Sequence, residues 1–230
     1  MFKTVIAVIL LFTATGMYVR AQTKETRNVS GFTEIGFGVA GTLTVKTGTD
    51  FSVVIEGDKE YLKDVETVVK NGKLLIRDQN NHFFNNEKVD ARITLPELRG
   101  LSLSGSGTAT IEGKLNADKL YMSVSGSGKI HAAELKSDLL DCSISGSGDI
   151  ILDGTGSADK GSVSISGSGS YKGEQFEFDH LEVHISGSGN CTCKAGDDLR
   201  AFISGSGNVY YYGNPRIDAR VSGSGHVRSR

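Results

Sequence analysis

The side chains through which this chain could do chemistry are its histidines, cysteines and acidic residues, and their spacing limits what that chemistry can be. His180 and His184 form the close histidine pair. A separation of four would aim two imidazoles at one metal from a helix face, but His180-Leu-Glu-Val-His-Ile reads as a strand, so surface histidines are expected. Cys191 and Cys193 stand two apart, with Cys142 two repeats earlier. Two steps along a stack of strands exceed the ~7 Å that a disulfide can bridge, and three thiols without a paired C-x-x-C supply no zinc set. Buried thiols acting as small apolar residues are expected. Asp141, Asp149, Asp153 and Lys129 lie loosely near one another. They are the nearest thing to the paired carboxylates that a polysaccharide lyase or glycosidase on a β-helix would need. Without recurrence or a recognisable partner they do not make a catalytic set. No catalytic residue, metal ligand or cofactor is therefore assigned.

Two glycine patterns invite a phosphate or calcium reading and fail on context. Gly36-Phe-Gly38-Val-Ala-Gly41 matches G-x-G-x-x-G, but the following Thr42-Leu-Thr-Val-Lys46 is β-branched and alternating, with no helix N-terminus to receive a pyrophosphate. Gly146-Ser-Gly148-Asp149 is half of a calcium nonapeptide, yet the positions equivalent to Asp149 are Thr108, Lys129, Ser170, Asn190, Asn208 and His226. A calcium ladder would repeat its carboxylate. What remains is aromatic. Tyr210 and Tyr212, with Phe202 on the preceding part of the same coil, are the ligand-binding candidates, able to hold a sugar ring. The bland alternative, which is preferred, is that they cap a terminal coil. Phe83 and Phe84, in a polar loop over 79–86, are a second exposed pair suited to self-association or a partner.

The elements that must position these residues follow from a repeat. Ser-Gly-Ser-Gly begins at residues 104, 125, 145, 166, 186, 204 and 222, and its seven copies hold 14 of the 30 glycines. A period near 20 signals a solenoid. Every copy sits in the frame apolar-x-apolar-Ser-Gly-Ser-Gly-polar-apolar, so Met122 and Val124 with Ile130, or Ala219 and Val221 with Val227, should point inward. Ser102, Ser123, Ser143, Ser164, His184, Phe202 and Arg220 should point outward. Helical coils are excluded because Ser and Gly in every repeat cost roughly 0.5 to 1 kcal/mol per residue in a helix. The fold class expected is all-β, a right-handed parallel β-helix of about seven coils plus an N-terminal β part. The repeat glycines, Gly105 and Gly107, Gly126 and Gly128, Gly146 and Gly148, Gly167 and Gly169, Gly187 and Gly189, Gly205 and Gly207, Gly223 and Gly225, are structural. The second of each pair is expected where φ is positive or where backbones crowd a corner.

The chain divides into a signal peptide at 1–21, an N-terminal β part at 28–99 and the repeat part at 100–230, the last two expected to share one core. Lys3, the apolar run Val5 to Phe12 and Val19-Arg20-Ala21 mark the signal, cut after Ala21. The N-terminal part alternates through Phe32 to Glu56, makes one helical turn over 59–64, and pairs 65–69 with 73–77 across Asn71-Gly72, a hairpin signal. The formal charge of -2 falls further on losing Lys3 and Arg20, and such a chain has no basic surface for nucleic acid.

Phe32-Thr-Glu-Ile, Gly41-Thr-Leu-Thr-Val, Asn71-Gly-Lys-Leu-Leu-Ile, Ile93-Thr-Leu-Pro-Glu-Leu and the serial Ser-Gly-Ser-Gly resemble the family of the putative auto-transporter adhesin, head GIN domain. The resemblance covers nearly the whole mature chain. It implies a right-handed parallel β-helix exported by a Bacteroidetes-type bacterium. The function expected is a non-enzymatic adhesin-like binding or scaffold module of the cell envelope, in the periplasm or at the cell surface. Its partner would be a glycan or an envelope protein, with self-association a further option and no integral membrane segment after cleavage. A lyase or glycosidase on the same fold is the alternative, and ice binding by serine ladders a distant third.

Overall fold

The computed structural model describes residues 22–80 and 87–230; the expected signal peptide and the Phe83-Phe84 pair lie outside them. The chain forms strands β1 (Gln22–Thr26), β2 (Glu34–Gly38), β3 (Gly41–Thr47) and β4 (Ser52–Asp58), helix α1 (Lys59–Leu62), and β5 (Val65–Lys70), β6 (Lys73–Asp78), β7 (Val89–Leu95) and β8 (Gly100–Gly105). The repeats form β9 (Thr108–Gly126), β10 (Lys129–Gly146), β11 (Asp149–Leu152), β12 (Gly156–Gly167), β13 (Ser170–Gly187), β14 (Asn190–Gly205), β15 (Asn208–Tyr212), β16 (Arg216–Gly223) and β17 (His226–Ser229). The repeats stack in parallel as a β-solenoid, with seven Ser-Gly-Ser-Gly corners joined by about six turns.

One turn shows why about 20 residues suffice. Along β10 the buried positions are Ile130 and Ala132, then Leu135 and Ser137, then Leu140, Cys142 and Ile144. The pairs Ala133-Glu134 and Asp138-Leu139 break the alternation, so the coil has three short sides and three bends. Each side lies in register on the coil before and after it: Ile144 sits between Val124 and Ile165. Repeats of unequal length keep that register because the surplus is absorbed at the second bend. There the pairing shifts between Ala132 and Glu134, and Gly113 of the coil below takes φ +78°. The 18-residue spacing after residue 186 is accommodated similarly, by two shifts against β14, between Gly173 and Glu177 and between Phe178 and His180.

The Ser-Gly-Ser-Gly corner divides its two demands between its glycines, with crowding at the second and positive φ at the first. In the third copy it is the first glycine, Gly146, that has positive φ (+117°). At Gly148 the requirement is space, because a Cβ there would meet Val124 Cγ1 and lie 2.5 Å from the Gly128 carbonyl oxygen. The crowding follows from stacking: the Ser147 and Asp149 amides donate to the carbonyls of Gly126 and Gly128 at 2.9 and 3.0 Å, drawing the corners together.

The N-terminal strands continue the same stack without the serines. Ile35 and Phe37 of β2 lie against Leu101 and Leu103, and Leu43 of β3 against Ala109. β7 adds to β3 in parallel, after which β4 and then β1 add antiparallel. β6 adds to β2, and β5 closes back on β6 through Asn71 and Gly72, whose φ values of 51° and 76° make the primed hairpin turn that Asn-Gly favours. Strand β1 was not expected. Its polar Gln22-Thr-Lys-Glu-Thr26 carries no strand pattern and is placed by backbone pairing with β4. One apolar cluster runs from Phe32 to Val209 through both parts. The inward assignments hold through Val209; in the final coil Val227 still packs partly against the core, whereas β16 is exposed along its whole length, since among the described residues no further coil rests on it.

Candidate functional site

Register, more than residue type, builds the candidate site. On the side of the coil that precedes the serine corner, outward side chains fall into rows parallel to the solenoid axis, one residue per coil. Ser143, Ser164, His184, Phe202 and Arg220 make one row; Ser145, Ser166, Ser186, Ser204 and Ser222 make the next. Between them runs an open groove of about 570 Å³, floored by the intervening Ile144, Ile165, Ile185, Ile203 and Val221. Its five coils span roughly 19 Å at ~4.8 Å per step. One wall is a line of hydroxyls, each both donor and acceptor. The other changes from serine to aromatic to cation towards the C-terminal end.

Phe202 is the candidate that the groove retains, in a different role from a stacking platform. His184 stacks on one face of its ring, with centroids 4.9 Å apart and planes 18° apart, and the Arg220 guanidinium lies 5.6 Å from its centroid. This is what in-register side chains ~4.8 Å apart must do. The ring therefore offers its edge to the groove. His184 is held in place by Glu182, whose carboxylate lies 2.5 Å from Nε2. Tyr210 and Tyr212 lie on the other side of the corner, next to Thr192 and Lys194 of the coil below, and do not line the groove. The Arg230 guanidinium sits 4.5 Å above the Tyr210 ring. Tyr211, pointing the opposite way, packs against the core.

A second, smaller cleft is lined by Lys160, His180, Glu182, Asp198 and Arg200. Sequence reading did not find it, because its members come from three coils. Asp198 is shared between His180 Nδ1 at 2.8 Å and Arg216 at 2.9 Å. The two histidines thus bind separate carboxylates rather than a common ligand, and among the described residues no cluster of three His, Cys, Asp or Glu could hold a metal.

The other chemical candidates are dispersed. Asp149 lies between Lys129 at 3.3 Å and Lys172 at 4.0 Å in the neighbouring coils. Asp141 sits across the corner between Tyr121 and Ser162, where partial burial raises its pKa. Cys142, Cys191 and Cys193 are buried and free. Burial pushes the thiols of Cys142 and Cys191 well up, away from the thiolate that reacts. The G-x-G-x-x-G segment is the corner between β2 and β3, and its concavity holds this chain's own backbone: the Val89 amide donates to Ala40 O at 2.9 Å.

A solenoid whose outward rows create a shallow groove along its axis belongs to the class of repetitive β-scaffolds that present an extended surface. The chain belongs to the family of the putative auto-transporter adhesin, head GIN domain, whose pattern it matches over residues 31–215. A putative adhesin from Bacteroides fragilis shares the fold, with a TM-score of 0.84 at 24% identity over 92% of this chain and 98% of its own. A putative lipid binding protein from Parabacteroides distasonis superposes with a TM-score of 0.72 at 24% identity, over 91% of this chain and 96% of its own. A putative adhesin from Parabacteroides merdae does so with a TM-score of 0.71 at 22% identity and the same coverages. No curated protein matches the chain significantly. Among the described residues no helix is long and apolar enough to cross a membrane.

Proposed function

We propose that this chain is an exported, non-enzymatic adhesin-like module of the bacterial cell envelope, and that the groove between the serine row and the His184-Phe202-Arg220 row is its binding face for an extended glycan. The groove itself is the observation that carries this reading. It runs along five coils, so it suits a polymer lying parallel to the axis, and its hydroxyl wall matches a ligand rich in hydroxyls. Its lining contains no carboxylate, whereas glycoside hydrolysis works with a facing pair. Family membership supports the adhesin-like assignment, and the leader read at 1–21 supports export.

The test is a glycan array probed with the chain from Gln22 onward, beside Phe202→Ala and the groove-filling Ser166→Trp. A glycan retained by the parent and lost by both variants, with unchanged melting temperatures, is the expected result. Capture of an envelope protein through the same groove would replace the glycan by a protein ligand. Turnover of a polysaccharide that disappears on replacing Glu182 or Asp198 would make the chain an enzyme and overturn the reading.

A further inference from the structure

The last coil carries a second interaction surface. β16 is hydrogen-bonded to β14 along one edge, and among the described residues nothing pairs with its other edge. Its inward residues continue the core rows above Leu199, Ala201 and Ile203, yet Ile217 is 44% exposed and Val221 42%. A free strand edge combined with an uncovered apolar face is a template for another strand.

We propose that two copies of this chain join end to end through β16, antiparallel, about a two-fold axis normal to the sheet at Ala219. Such an axis keeps the inward faces of both copies on one side, so the core rows run on across the junction. The charges choose the register. Side-chain alternation permits only registers centred on a residue, and a nearly full overlap leaves three. Centring on Asp218 sets Asp218 against itself and Arg216 against the partner's Arg220. Centring on Arg220 sets Arg220 against itself. Centring on Ala219 places Asp218 opposite the partner's Arg220 twice over, and Ile217 opposite the partner's Val221. Opposite charges directly across a strand pair stabilise it and like charges oppose it. Within one copy Asp218 and Arg220 are already 3.9 Å apart on the outer face, so the dimer completes an alternating square of four charges.

The other end of the solenoid does not offer the equivalent surface. There Phe32, Leu62 of α1 and Val65 of the antiparallel strand β5 are buried at 1%, 1% and 3% exposure. The contact is therefore closed and isologous, giving a dimer rather than a filament. In it the row holding Phe202 runs on into the partner's row holding Arg200, which extends the proposed binding face across the junction.

Sedimentation equilibrium of the chain from Gln22 onward tests this, with Asp218→Arg, Arg220→Asp and the double swap. The parent is expected to show a monomer–dimer equilibrium. Each single reversal should weaken it roughly tenfold or more, and the double swap, which restores the square, should recover it to within about threefold of the parent. Oxidised Ala219→Cys should form a covalent dimer, since the three native thiols are buried. A parent that stays monomeric, one that grows into polymers, or a double swap as weak as the single variants while melting like the parent would overturn the proposal. Absence of the Ala219→Cys cross-link in a chain that still dimerises would place the contact elsewhere and overturn it equally.

Discussion

Among the described residues the N-terminal end of the stack is closed over and the C-terminal end is open. At the first, parallel coils give way to antiparallel strands: β4 and β1 fold over β7, and the β5-β6 hairpin extends the neighbouring side, so that Leu74 and Ile76 are wholly buried. At the second, the repeat continues unchanged into a coil that covers its predecessor and is itself covered by no described residue. The same in-out pattern has opposite thermodynamic value at the two ends, because an inward apolar residue contributes only when another layer removes it from water. A solenoid needs a terminal element that breaks its own rule, and here only one end has it within the described chain.

Four measurements would break or sharpen that contrast. The largest effect is expected from Gly148→Val, in the middle of the stack, where the new side chain strikes Val124 and the Gly128 carbonyl with coils on both sides. A loss of more than about 3 kcal/mol in chemical denaturation is expected. Gly225→Val makes the equivalent clash with the Gly207 carbonyl and Ile203, but the final coil can lift away, so about 1 kcal/mol is expected. Equal losses would mean that the last coil is as firmly held as the middle ones.

Leu74→Ala at the closed-over end should cost about 2 to 5 kcal/mol, while Val221→Ala, at protein concentrations low enough to keep single copies, should cost under about 0.5 kcal/mol. Denaturation midpoints read both. Thiol labelling gives a third comparison. All three cysteines are buried, so the native chain should react slowly with a thiol reagent. In mild denaturant Cys191 and Cys193, nearer the open end, should label before Cys142, as mass spectrometry of the labelled chain would show. Simultaneous labelling would mean that the stack opens as one unit.

The smallest effect concerns Asp141, whose pKa is raised by partial burial. A carboxyl with a higher pKa folded than unfolded opposes folding when charged, and that penalty is present above its folded pKa and disappears as pH falls below its unfolded value. Asp141→Asn should therefore stabilise the chain near neutral pH, by under about 0.5 kcal/mol after allowing for solvent screening. The gain should vanish in acid; melting temperatures across the carboxylate range would show a constant difference if the charge were irrelevant.

Much of this molecule was legible before any coordinates. Seven copies of one motif at nearly constant spacing dictate stacked coils, and strict alternation around each copy names the residues inside, from Leu101 to Val209. This works because a solenoid's long-range contacts repeat a local pattern, so one coil read correctly gives them all. Asn71-Gly72 likewise dictates its hairpin through backbone conformation alone. Tertiary structure alone decided what depended on the distance between coils. It assigned positive φ to the first glycine of each corner and close approach to the second, and it recruited the patternless β1 through backbone pairing. Phe202 became an edge between His184 and Arg220, because residues 18 apart in sequence come within about 5 Å only when stacked. The exposure of Ile217 and Val221 was equally out of reach, since whether an apolar residue is buried is a property of its neighbour, and theirs is a coil that the described chain does not contain.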